Sequence, residues 1–128
     1  MAPLEGRLGS VLAEVLTVEN EPDGALTVHH DGTLASLRVV DIAEDLELVS
    51  LTQVLAWDLP LNKKLRDRYT EQLRNSQLGT VTLAEKGKAA DVLLRYNFPG
   101  SGLTDDALRT LVLLVLAKGV DIRQALTA

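Results

Sequence analysis

A chain of 128 residues with a net charge of −5 is long enough to bury one core, and its charge repels a phosphate backbone on average. The absence of cysteine excludes disulfides, thiolate nucleophiles and cysteine metal sites, and 26 leucines against four aromatic residues leave few rings to stack on bases or sugars. The longest apolar run, Leu111 to Ala117, is seven residues against the ~20 that span a bilayer, and no basic-then-apolar leader opens the chain. The expectations are one domain over residues 1–128, located in the cytoplasm, with neither nucleic acid nor membrane as partner.

Leu4, Leu8, Val11, Leu12 and Val15 recur at helical spacing and predict a short amphipathic helix from Pro3 to Leu16, weakened by Gly6 and Gly9. Glu19 to Gly24, with Pro22-Asp23-Gly24, reads as a loop. Ala25 to His30 alternates as a strand, and Asp31-Gly32 is a two-residue hairpin signal. Thr33 to Ile42 forms the next strand, Ala43-Glu44-Asp45 turns, and Leu46 to Leu59 forms a long third strand stopped by Pro60. On it Val49, Leu51, Leu55, Trp57 and Leu59 share one face, with Leu46, Leu48, Val54 and Ala56 on the other. Apolar residues on both faces imply that something covers the far side of the sheet.

Asn62 to Gln77 reads as the second helix, with Leu61, Leu65, Tyr69 and Leu73 in a narrow stripe and Gly79 beyond its end. Thr80 to Ala84 and Ala89 to Phe98 are two further strands, joined through Glu85-Lys86-Gly87-Lys88 as a hairpin of the longer kind. Pro99-Gly100-Ser101-Gly102 then leads into a helix with Thr104 as N-cap, Asp105 and Asp106 in the first turn, Lys118 in the last turn and Gly119 closing it. The run from Leu111 to Ala117 covers the whole circumference of that helix, which predicts burial on all sides by its own chain or by a second copy. Val120 to Ala128 is left as a short tail whose Val120, Ile122 and Leu126 dock.

None of the candidate chemical motifs is complete. His29 and His30 are adjacent on a strand and point to opposite faces, so they cannot grip one metal, and no serine sits in a nucleophile elbow. Gly100-Ser101-Gly102 between a strand and a helix suggests an anion loop, but the spacing of a phosphate motif is missing and Asp105 and Asp106 repel phosphate. Lys63, Lys64, Arg66, Arg68 and Arg74 make the second helix basic, yet Asp67 and Glu71 interrupt the run at helical spacing, which gives a solvated face with weak ion pairs. The expectation is a protein without catalysis, metal or cofactor.

The passage Leu94-Arg95-Tyr96-Asn97-Phe98-Pro99 followed by Leu103-Thr104-Asp105-Asp106-Ala107-Leu108 is similar to the final strand-to-helix passage of the bacterial YbjN-type proteins, described as sensory transduction regulators. The element order α-β-β-β-α-β-β-α in a small acidic leucine-rich chain also resembles the class I type III secretion chaperone fold. The resemblance implies an α+β protein: a twisted antiparallel sheet with helices mainly on one face, dimeric and non-catalytic. Apolar surface grooves in such proteins hold an extended stretch of a client.

Two functions follow as expectations. The first is a chaperone-like or adaptor protein that forms a homodimer and binds a segment of a protein partner, with Leu48, Val54, Leu111, Leu114 and Val115 at an interface with a second copy or partner. The second is a small-ligand sensor or regulatory domain whose pocket between sheet and helices is walled by Trp57, Tyr69, Tyr96 and Phe98.

Overall fold

The computed structural model describes residues 3–76 and 78–128. Among these described residues nine elements follow in chain order: α1 (Leu4–Ala13), β1 (Val18–Asn20), β2 (Leu26–His30), β3 (Thr33–Ala43), β4 (Leu46–Pro60), α2 (Lys63–Asn75), β5 (Thr80–Lys86), β6 (Ala89–Pro99) and α3 (Asp105–Thr127). The strands form one antiparallel sheet in the order β1-β2-β3-β4-β6-β5. All three helices pack on the same face of it. The architecture is therefore the expected α+β one, with an added short edge strand, Val18–Asn20, at the start of the stretch read as a loop.

Local chemistry sets the turns. Asp31 and Gly32 both take positive φ, 45° and 82°, which gives the tight turn that places His30 opposite Thr33. The β5–β6 hairpin is also tight: Lys86 pairs with Ala89 across Gly87-Lys88, so the longer loop expected there is corrected. Both longer helices begin on side-chain caps. Asn62 Oδ1 accepts from the Leu65 amide at 2.9 Å, and Thr104 Oγ1 accepts from the Ala107 amide at 3.1 Å. α2 ends at Asn75, short of the predicted limit at Gln77, which lies outside the described residues. Of its predicted stripe only Leu65 is buried, and Leu73 faces outward.

The largest departure concerns α3. It does not stop at Gly119 but continues to Thr127, a length of about 35 Å at ~1.5 Å per residue, enough to cross the whole sheet. Leu108, Val112, Val115, Leu116, Ile122 and Leu126 form one buried stripe, while Leu114 is 54% exposed. The helix is thus enclosed on one side only, and the tail is its last two turns. Gly119 is interior because the helix lies directly on Gln53 of β4: a Cβ there would stand 2.0 Å from Gln53 Oε1. Gln53 is wholly buried, and its Nε2 donates to Thr33 Oγ1 at 2.9 Å and to the Leu116 carbonyl at 3.2 Å.

β4 carries the second departure. Its register with β6 slips between Val54 and Ala56 and again between Ala56 and Leu59. The first bulge turns Leu55 and Ala56 inward together, which corrects the placing of Ala56 on the outer face. The second, with Asp58 at φ 54°, throws Trp57 outward to 46% exposure, away from the inner face it was expected to share. Arg123 of α3 donates from Nη1 to the Leu55 carbonyl at 2.7 Å, supplying a partner at the residue the ladder skips.

Candidate functional site

Small residues along one face of α1 leave space beside the sheet edge. Gly6, Gly9, Ser10 and Ala13 face Val18 and Asn20 of β1 and the turn from Glu21 to Leu26 across an open groove of about 700 Å³. Among the described residues β1 pairs with β2 alone, which makes it an edge strand beside this groove. The charged side chains lining the groove are the carboxylates of Glu5 and Glu21. α1 is held in place from its far side. Arg7 donates through Nε to Asp105 Oδ1 at 3.0 Å and through Nη2 to the Leu103 carbonyl at 2.5 Å, while Arg109 reaches Glu14 and Asp106, each at 2.9 Å. The two aspartates of the first turn of α3 therefore anchor α1 and complement the helix dipole together. The groove was not foreseen, although glycines at 6 and 9 in an otherwise helical pattern were its sequence signal.

The strand-to-helix loop is structural. Gly100 packs so closely that a Cβ would meet Leu4 Cδ2 at 2.8 Å and Val49 Cγ2 at 3.0 Å. Its amide donates to the Glu47 carbonyl at 3.0 Å, and Ser101 Oγ accepts from the Glu47 amide at 2.7 Å. The loop is committed to fastening β4 and α1.

The predicted interface residues do not share a surface. Leu48 and Val54 are half-buried on the outer face of the sheet, opposite the described helices. Leu114 projects from the helix layer on the opposite side, with Leu111 partly packed beside it. Val115 is fully enclosed in the chain's own core and offers nothing to a partner, because its position on α3 falls in the stripe facing the sheet.

The four aromatic residues likewise do not wall one pocket. Phe98 pairs with Val49 and Tyr96 with Leu51, the two rings lying 5.6 Å apart, whereas Trp57 stands eight residues beyond Val49 on β4, roughly 26 Å at ~3.3 Å per residue. Trp57 instead borders a shallow recess with the β2–β3 turn, and the Tyr69 hydroxyl donates to the Val81 carbonyl at 3.1 Å. His29 lies near Glu19 at 3.5 Å and His30 near Asp31 at 3.8 Å, on opposite faces as the strand period requires. Among the described residues no group of three or more His, Asp or Glu side chains is placed to hold a metal ion, and no described helix is long and apolar enough to cross a membrane.

Electrostatics at the β4 bulge are satisfied internally. Lys86 Nζ lies 2.8 Å from Asp58 Oδ1 and 3.0 Å from Asp91 Oδ1, and the Asp58 amide donates to Asp91 Oδ1 at 2.9 Å. The Asp58 amide and then Lys86 hold the Asp91 carboxyl below the usual carboxylate range, and the two carboxylates raise Lys86. Asp23 is lowered by its bond to Arg38 and by the Ala25 amide. These groups fix turns and a bulge.

No family model matches the chain, and no curated protein matches its sequence. In structure it is similar to the Yersinia pestis type III secretion chaperone SycH, solved in complex with a stable fragment of YscM2. The TM-score is 0.55 at 17% identity, over 94% of this chain and 99% of that one. What the chain shares with this chaperone is its fold.

Proposed function

We propose that this chain is a non-catalytic, chaperone-like or adaptor protein that self-associates and binds an extended segment of a protein partner. The groove between α1 and β1 carries the reading, because it sets open space beside an edge strand. An extended segment added there finds unpaired backbone groups on one side and room for alternate side chains on the other. The acidic lining favours a segment that bears lysine or arginine. The likeness to a chaperone crystallised with a partner fragment supports the same reading, and the passage around Leu94–Pro99 and Leu103–Leu108 points to a YbjN-type regulator acting in the bacterial cytoplasm.

The test uses a displayed library of random twelve-residue peptides, with affinities of selected binders measured by fluorescence anisotropy. A Cβ at Gly6 meets no atom within 4 Å, so Gly6→Leu fills the groove without straining the fold. Selected peptides are expected to be enriched in Lys or Arg and to lose at least about tenfold in affinity for Gly6→Leu. Binders indifferent to Gly6→Leu and to Ala13→Trp would place the partner elsewhere and end this reading.

A further inference from the structure

A recess between the end of β4, α2 and the last turn of α3 sets an apolar floor beside positive charge. Its volume is about 240 Å³. Leu59, Leu65 and Leu126 supply the floor, and Lys64 and Arg68 of α2 border it. Among the described residues no acidic side chain lines it. The bridge from Arg7 to Asp105, which fastens α1, lies at the opposite end of α3, so this recess is separate from the α1–β1 groove.

The cations of α2 divide into two sets. Lys63 is neutralised by Asp67 at 2.8 Å, and Arg66 by Glu85 at 3.1 Å. Lys64 and Arg68, which border the recess, pair with no acidic side chain among the described residues. They stand four positions apart, a spacing at which like charges on a helix repel. One anion held between them relieves that repulsion and accepts charge-assisted hydrogen bonds from both. Arg68 Nη1 donates to the main-chain oxygen of Ala128, which fixes the guanidinium and leaves Nε and Nη2 for a further acceptor. Asn62, also at the recess, spends Oδ1 on the Leu65 amide, which leaves its Nδ2 as another donor.

We propose that this recess binds a small aliphatic monocarboxylate, with the carboxylate between Lys64 and Arg68 and the hydrocarbon on the leucine floor. Volume sets the length. At ~30 Å³ for each non-hydrogen atom, the share of a water molecule in the liquid, the recess holds roughly eight such atoms, the count in hexanoate. A free amino acid is disfavoured, because its ammonium would stand against the two cations. Phosphate matches the charge but leaves the floor uncovered, and a dicarboxylate would set its second charge on the leucines. The site is independent of the protein segment proposed for the groove.

Titration of the isotope-labelled full chain with sodium hexanoate, followed by its amide resonances, reads the outcome. Saturable shifts are expected at Lys64–Arg68 and Leu126–Thr127, and none at Gly6–Ala13 in the groove. Affinity is expected to rise about fourfold per methylene from acetate to hexanoate and to level off beyond octanoate, once the recess is full. Norleucine adds an ammonium to the same body and hexanol lacks the charge; each is expected to bind at least about tenfold more weakly. Lys64 is exposed, so Lys64→Gln leaves folding intact, and it is expected to weaken hexanoate at least about fivefold. Lys63→Gln, at a cation already paired with Asp67, is expected to leave the affinity unchanged. The proposal is overturned by no saturable shift at the recess with ~20 mM hexanoate. Hexanol binding as tightly as hexanoate, or Lys64→Gln binding as Lys63→Gln does, overturns it too. So does an affinity that keeps climbing through dodecanoate, which is detergent-like adsorption.

Discussion

Replacing Gly119 by alanine sets two effects of opposite sign against each other. In a helix interior, alanine is favoured over glycine by roughly 1 kcal/mol, so an isolated helix would gain. In this protein the new Cβ would stand 2.0, 2.5 and 2.7 Å from Oε1, Cδ and Nε2 of Gln53. The Gln53 amide is the end of a side chain and could swing aside, but it is fully buried and bonded to Thr33 and Leu116. Moving it forfeits two hydrogen bonds at about 1 kcal/mol each and leaves a buried amide short of partners at a further ~1–3 kcal/mol. The net expectation is a loss of about 2–4 kcal/mol, and a lowering of Tm by roughly 10 °C for a domain of this size. Urea unfolding of the parent, Gly119→Ala, Gln53→Ala and the double variant measures it. With Gln53 cut back to alanine the obstruction is gone, so Gly119→Ala should there be neutral or stabilising. A single variant as stable as the parent, or a cycle with no coupling between the two sites, would refute the close contact between α3 and β4.

Arg123→Met removes the donor to the Leu55 carbonyl at the bulge and is expected to destabilise by about 1–3 kcal/mol in urea, with Arg123→Lys recovering part of the loss. Gly6→Leu is expected to leave the urea midpoint unchanged or raised, since the groove has space and leucine is the better helix former; a large loss would show the groove to be already filled. Asp23 and Asp91 have folded pKa values below the ordinary 3.8, so their contribution is present above that pH and is lost as the pH falls through the lower folded values. Urea midpoints taken downward from about pH 5 should therefore decline, and the decline should be shallower in Asp91→Asn. Lys86 is raised above 10.5, so its share is present below that value and fades as the pH rises through the higher folded one; Lys86→Met should flatten the alkaline limb.

Much of this fold follows from short-range chemistry. The alternation in β2, β3, β6 and β4 as far as Val54, the turn at Asp31-Gly32, the cap at Thr104 and the Lys63–Asp67 pair at 2.8 Å each depend on residues a few positions apart, and each lies where local rules place it. The same locality kept the histidines on opposite faces. Three other features depend on residues far apart in sequence. Gly119 looked like a helix stop because its neighbours cannot show that Gln53, 66 positions away, requires a bare Cα there. The bulges of β4 that turn Ala56 in and Trp57 out are held by Arg123, Lys86 and Asp91, so simple alternation misassigned both. The faces also had to be sorted in space. A leucine on α3 is core or surface according to which side meets the sheet, which enclosed Val115 and left Leu114 outside. Sequence thus determined the elements other than the edge strand Val18–Asn20, and their order, because hydrogen-bonded turns, caps and period-two strands are local. Tertiary packing decided where α3 ends, which groove stays open and which sheet face is bare, because those depend on contacts between distant segments.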